Sequence, residues 1–204
     1  MFIMKQKQKT TATAVKQTVR RKNYMDIEIR LRVTADLCCD CVRNAAYYKS
    51  GWDSPEELKK GDSDFWINLN GNFLDIAALS WCYLFVDSKG EFRWQKLIED
   101  QAGFSSRMYG YLKCTENEFQ DYISSMRLYR DKRVAHRDRY LTSDTKIHYP
   151  DLDLAIKSTS FFFSELSKLY PELKEINIYK NLDSFYTSRL EHGLSEYEKA
   201  SGKS

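Results

Sequence analysis

Glycine and proline are scarce in this 204-residue chain, with eight and three residues. That leaves little material for turns and loops and favours helices over a turn-rich β fold. No run of about 18 apolar residues occurs, so nothing suggests a membrane span, and the first segment has no apolar stretch of the kind a secretory signal needs. Gly71, Gly90, Gly103 and Gly110 are isolated and none belongs to a G-K-[ST] sequence, which excludes nucleotide hydrolysis of the P-loop type. G-x-S-x-G is missing as well, so a serine hydrolase of that class has no support.

Cysteine is sparse and odd in number: Cys38, Cys39 and Cys41 cluster, while Cys82 and Cys114 stand alone. Without a secretory signal this suggests reduced thiols and a cytoplasmic location. Cys38 and Cys41 have C-x-x-C spacing, but zinc needs about four ligands and no second Cys or His pair completes the set. A redox motif would need thioredoxin-like βαβ surroundings, which are absent, so packing or incidental thiols is the reading, and no metal or other cofactor is expected.

Acid is missing from residues 1–24, which carry Lys5, Lys7, Lys9, Lys16, Arg20, Arg21 and Lys22. The remainder holds 25 basic residues against 29 acids, so the net charge of +3 comes from this segment and not from the body. Such a segment could contact RNA phosphates, although a flexible solvated tail is the simpler reading. The length, with 42% hydrophobic and 14% aromatic residues, bounds one compact domain with a sizeable core. The division is a basic, flexible segment 1–24, a helical domain 25–170 and a helical extension or tail 171–204.

What is present is helical periodicity. Ile27, Leu31, Leu37, Val42 and Ala45 predict an amphipathic helix over 24–49, ended by Gly51, Asp53, Ser54 and Pro55. Asp62, Ser63 and Asp64 are suited to cap a second helix, whose stripe of Trp66, Leu69, Phe73, Ala77, Ser80 and Leu84 is broadened by Ile76, Trp81 and Phe85. Gly71 inside it reads as a helix crossing point. Phe92, Trp94, Leu97 and Ile98 suggest a short helix, then a loop through Gly103, Ser105 and Gly110. Thr115 and Glu118 match a capping box that starts a helix near Glu116, buried through Phe119, Tyr122, Ile123, Met126 and Tyr129. Pro150 suits the first position of a last core helix ending before Pro171. Tyr179, Leu182, Phe185 and Leu190 would cover the bundle or extend to a partner. The fold class is all-α, a bundle of four to five main helices.

The fourth of these helices runs into RDKRVAHRD, residues 130–138. Arg130, Arg133, Arg137 and Arg139 surround His136, and such positive charge attracts phosphate and favours the neutral imidazole that accepts a proton near pH 7. In RNA the 2′-hydroxyl is an internal nucleophile beside the phosphorus, so cleavage needs a proton acceptor and a cation more than a metal. Six residues along an ideal helix turn about 600°, which leaves Arg130 and His136 about 120° apart. Their convergence requires the helix to loosen within 131–134, the arginine to swing across, or a dimer to join them in trans. Arg133 and Tyr129 lie closer to the face of His136. The simpler alternative is a helix end where basic residues complement the dipole.

At these residues the chain resembles the HEPN superfamily, helical domains whose ribonuclease members carry Arg, a polar residue, then His after four to six intervening positions. Arg130, Asp131 and His136 fit, AHRD continues the match, and LDIAALSWCYLF (74–85) looks like the family's preceding core helix. The resemblance covers about residues 25–170 and resembles abortive-infection and toxin-like members most. It implies a HEPN-like bundle, a homodimer with a composite site, a possible antitoxin partner and metal-independent endoribonuclease activity. Arg130 and His136 would be the catalytic pair and Asp131 the residue that orients them, with Arg133, Arg137 and Tyr129 binding RNA phosphate. The alternative is a catalytically inactive helical interaction or RNA-binding module.

Overall fold

Among the described residues, long periodic segments with few helix breakers fold as helices. The computed structural model describes residues 2–52, 64–135, 149–173 and 181–200, and for 2–26 and 135 the backbone alone. Six α-helices appear among them: α1 (Phe2–Trp52), α2 (Asp64–Phe85), α3 (Gln101–Leu112), α4 (Glu116–Tyr129), α5 (Asp153–Leu169) and α6 (Leu182–Ala200). A 3-10 turn at Trp94–Lys96 precedes α3, and a π-helical turn at Arg130–Ala135 continues α4. The chain is an all-α helical bundle, and no helix among the described residues is long and apolar enough to cross a membrane.

The bundle closes around Trp81 of α2. Its ring is wholly buried, stacks on Phe85 at 5.1 Å and meets Phe119 and Tyr122 edge-on. Its indole N–H donates to Ser158 Oγ of α5 at 2.9 Å, so the polar edge of the ring is satisfied inside the core. Leu31, Ala35, Cys38, Cys41, Val42 and Ala45 of α1 supply the facing wall. The cysteine cluster is thus packing material: Cys38, Cys39 and Cys41 are buried, and burial pushes the Cys41 thiol up to about 12.

The capping box forms as its sequence requires. The Glu118 amide donates to Thr115 Oγ1 at 3.3 Å, the Thr115 amide donates back to the Glu118 carboxylate at 2.7 Å, and α4 starts at Glu116. Several local expectations are corrected, and α1 itself begins at Phe2 and not near residue 24. The segment through Gly103, Ser105 and Gly110 is the helix α3, because Asp100 caps it at the Gly103 amide (2.9 Å) while Phe104, Met108 and Leu112 bury a stripe at steps of four. The short helix expected over Phe92–Ile98 is a single 3-10 turn with Trp94, Leu97 and Ile98 buried. Helix α5 starts at Asp153, three residues after Pro150.

Gly71 is not a crossing point, since a Cβ there would meet nothing within 4 Å. The close crossing lies between α1 and α6, where a Cβ on Gly193 would come within 2.5 Å of Ser50 Oγ. Ser50 in turn donates to the Leu190 carbonyl at 3.0 Å. Helix α6 therefore covers the bundle, with Leu182, Phe185 and Tyr197 buried. The Tyr197 hydroxyl donates to Asn70 Oδ1 at 3.0 Å. The capping residues Asp62 and Ser63 and the apolar Tyr179 lie outside the described residues.

Candidate functional site

Helix α4 buries Phe119, Met126 and Tyr129, and the register that places Tyr129 in the core delivers Arg130 to the edge of it. From Arg130 to Ala135 the backbone is π-helical. A π turn is wound on bonds five residues apart in place of four, which loosens the helix within 131–134, while the Arg130 amide itself still donates to the Met126 and Arg127 carbonyls. His136 and Arg137 lie outside the described residues, as does His148.

Arg130 is held on two sides. Its Nε donates to Asp131 Oδ1 at 2.9 Å, and its Nη1 donates to Asp87, in the turn that follows α2. The side chain is only 16% exposed. Burial disfavours the charge, but the hydrogen bonds to Asp131 and Asp87 outweigh it and raise the guanidinium pKa above its ordinary value. Nη2 makes no hydrogen bond among the described residues; a phosphate oxygen is the kind of acceptor that such a nitrogen can take.

Tyr129 lies beside Arg130 but faces inward. It is 2% exposed, and its hydroxyl donates to Asp75 Oδ1 of α2 at 2.5 Å. Burial first, then the bond to Asp75, holds its pKa well above the usual phenol range. Arg133 is exposed, and its guanidinium carbon lies 5.8 Å from the ring centroid of Tyr149. Tyr149 is itself 60% exposed and 6.3 Å from the Tyr129 ring. A partly buried, acid-paired arginine and an exposed arginine on an aromatic face thus lie beside one tyrosine pair.

Beneath them Cys82 is buried and donates to the Met126 carbonyl at 3.8 Å. Burial raises its pKa to about 12, with Arg130 only partly offsetting that, so the thiol is no nucleophile near neutral pH. His192 is exposed on α6, its ring 6.1 Å from that of Tyr47.

Among the residues singled out by sequence, Arg130 and Asp131 are in direct contact, Tyr129 adjoins them, and Arg133 turns to Tyr149. Sequence reasoning missed Asp75, Asp87 and Tyr149. Asp75 did leave a signal, as a lone acid between Leu74 and Ile76 in an apolar run. Asp87 had none, because Asp87, Ser88, Lys89 and Gly90 read as an ordinary turn. Compared with known proteins, the chain matches no family model, no curated protein and no solved structure.

Proposed function

We propose that this chain is a metal-independent endoribonuclease of toxin or phage-defence type, acting as a homodimer with a composite site in the manner of HEPN ribonucleases. The observation that carries the reading is the setting of Arg130: charged, largely buried, and gripped at Nε by the Asp131 that follows it. An arginine fixed in this way suits the role of stabilising charge on a phosphate in flight. The π-helical turn adds support, since such irregularities concentrate at functional positions.

In the proposed reaction His136 accepts the proton of an RNA 2′-hydroxyl, whose oxygen attacks the adjacent phosphorus. The bond from phosphorus to the 5′-oxygen breaks, and that oxygen takes up a proton, leaving a 2′,3′-cyclic phosphate and a 5′-hydroxyl. Arg130 faces the non-bridging oxygens, while Arg133 and Arg137 bind flanking phosphates. The test is incubation of purified protein with varied RNA in excess chelator, alongside His136→Ala. Cleavage that is lost in the variant is the expected result. Equal cleavage by both proteins, or none by either, rejects the reading.

A catalytically inactive helical interaction module is the second reading. It is favoured by the two carboxylates that already occupy Arg130. It predicts that His136→Ala leaves any cellular effect of expression unchanged.

A further inference from the structure

Helix α2 and the turn after it hold the junction of α4 with the π-helical segment through two acids outside the motif. Asp75 accepts the Tyr129 hydroxyl at 2.5 Å, and Asp87 accepts Arg130 Nη1. A π turn is rare and occurs mostly as a single turn within or beside an α-helix. These two bonds fasten Tyr129 and Arg130, the residue before the turn and the first within it. A free arginine has many rotamers, and ordering it on binding costs affinity and rate. With Asp131 on Nε and Asp87 on Nη1, the guanidinium plane is fixed before any ligand arrives, and Nη2 has no partner among the described residues.

We propose that Asp87 is a positioning residue for Arg130, supported by Asp75 through Tyr129, so that α2 sets the plane in which the guanidinium meets a phosphodiester; this rests on the ribonuclease reading. The opposite role is also definable, in which Asp87 competes with phosphate for Arg130. The two differ in sign. A positioning acid makes its variants slower, whereas a competing acid makes them bind phosphate more tightly and cleave faster.

The full chain is assayed on RNA in chelator as wild type, Asp87→Ala and Asp87→Asn. Asp87→Ala should lower kcat by about tenfold or more with KM changed by less than about threefold, since small misplacements of a reacting group cost rate at this scale. Asp87→Asn, which keeps an acceptor and loses the charge, should recover part of the loss. An unchanged or raised kcat/KM in Asp87→Ala overturns the proposal. A second readout does not need activity: the Arg130 Nε–H signal in ¹⁵N NMR, assigned by its disappearance in Arg130→Lys. It should be sharp in the wild type and broadened in Asp87→Ala. If the wild type cleaves no RNA yet the signal depends on Asp87, the ribonuclease reading fails and the positioning stands. If the signal is indifferent to Asp87, the positioning fails whatever the cleavage result.

Discussion

Helix α2 and the turn that closes it serve two regions built on opposite physics. Trp81 and Phe85 stack in an aromatic centre at 5.1 Å, with Phe119 at 6.1 Å from Trp81 and Phe162 at 6.0 Å from Phe85. Asp75 and Asp87 instead reach a charged corner at Tyr129 and Arg130. The centre is held by burial, which is non-directional and scales with area. The corner is held by a few directional bonds whose loss leaves a polar partner unmet. Damage to the centre should therefore lower global stability, while damage to the corner should alter local geometry at a smaller cost to the fold.

Trp81→Ala tests the first half and should have the largest effect. Truncating a wholly buried tryptophan costs about 3–5 kcal/mol, enough to exhaust much of the stability of a domain this size. Urea unfolding followed by circular dichroism would show a large fall in the midpoint. Trp81→Phe keeps most of the ring volume and loses the bond to Ser158, so it should retain well over half of that stability. Equal losses in the two variants would show that the indole hydrogen bond, and not the apolar volume, organises the centre.

Gly193→Ala comes next, at about 1–3 kcal/mol, because its new Cβ would meet Ser50 Oγ at 2.5 Å and Ser50 Cβ at 2.9 Å. Gly71→Ala should have the opposite sign, stabilising by up to about 1 kcal/mol, since nothing lies within 4 Å and alanine is the better helix former. Thermal melts of the pair check both at once. A Gly193→Ala protein as stable as wild type would mean that α6 is not pressed against α1 as closely as the Ser50 contacts require.

These glycines also mark what the sequence makes legible. Local signals were reliable where the physics is local. The capping box starts α4 at Glu116, and Ala77, Ser80 and Leu84 of the proposed α2 stripe are buried. At its other end the stripe slips: Asn70 and Leu74 are buried, Trp66, Leu69 and Phe73 only partly, and Ile76 is 43% exposed. The Asn70 amide is drawn inward by Tyr197, 127 residues later, which no period of three or four encodes. Helix α3 was hidden because Gly103, Ser105 and Gly110 resemble breakers, while the Phe104, Met108 and Leu112 stripe overrides them. At the candidate site Arg130 and Asp131 are visible as a motif, but the acid on the other side of the guanidinium comes from 43 residues earlier. Motif reading finds the charged groups and misses the partners that aim them.

Tyr129→Phe probes the corner with a smaller expected effect. It keeps the buried ring and removes one hydroxyl bond, so its cost should be about 1 kcal/mol. Combining it with Asp75→Asn in a double-mutant cycle should give a coupling of similar size, because the two groups share that single bond. Additive effects would show that Asp75 does not hold the tyrosine. The apolar centre would then fix the end of α4 by itself, and the two regions would not be separable.

The weakest expected effect is at the start of the same helix and sharpens the contrast through pH. Thr115→Ala removes an N-cap and should cost about 1 kcal/mol or less. Its partner Glu118 has a pKa lowered by the bond from the Thr115 amide and then by the Thr115 hydroxyl. A carboxylate with a depressed folded pKa binds fewer protons in the folded state. Its stabilising contribution is therefore complete above the unfolded value and disappears as the pH falls through the folded one. The gap in stability between wild type and Glu118→Gln should accordingly be open at pH 7 and close in the acid range. Trp81→Ala, which involves no titrating group, should keep its full deficit over the same interval. A Glu118→Gln gap that persists at low pH would mean that the box acts through shape and neutral hydrogen bonding, with the carboxylate charge contributing nothing.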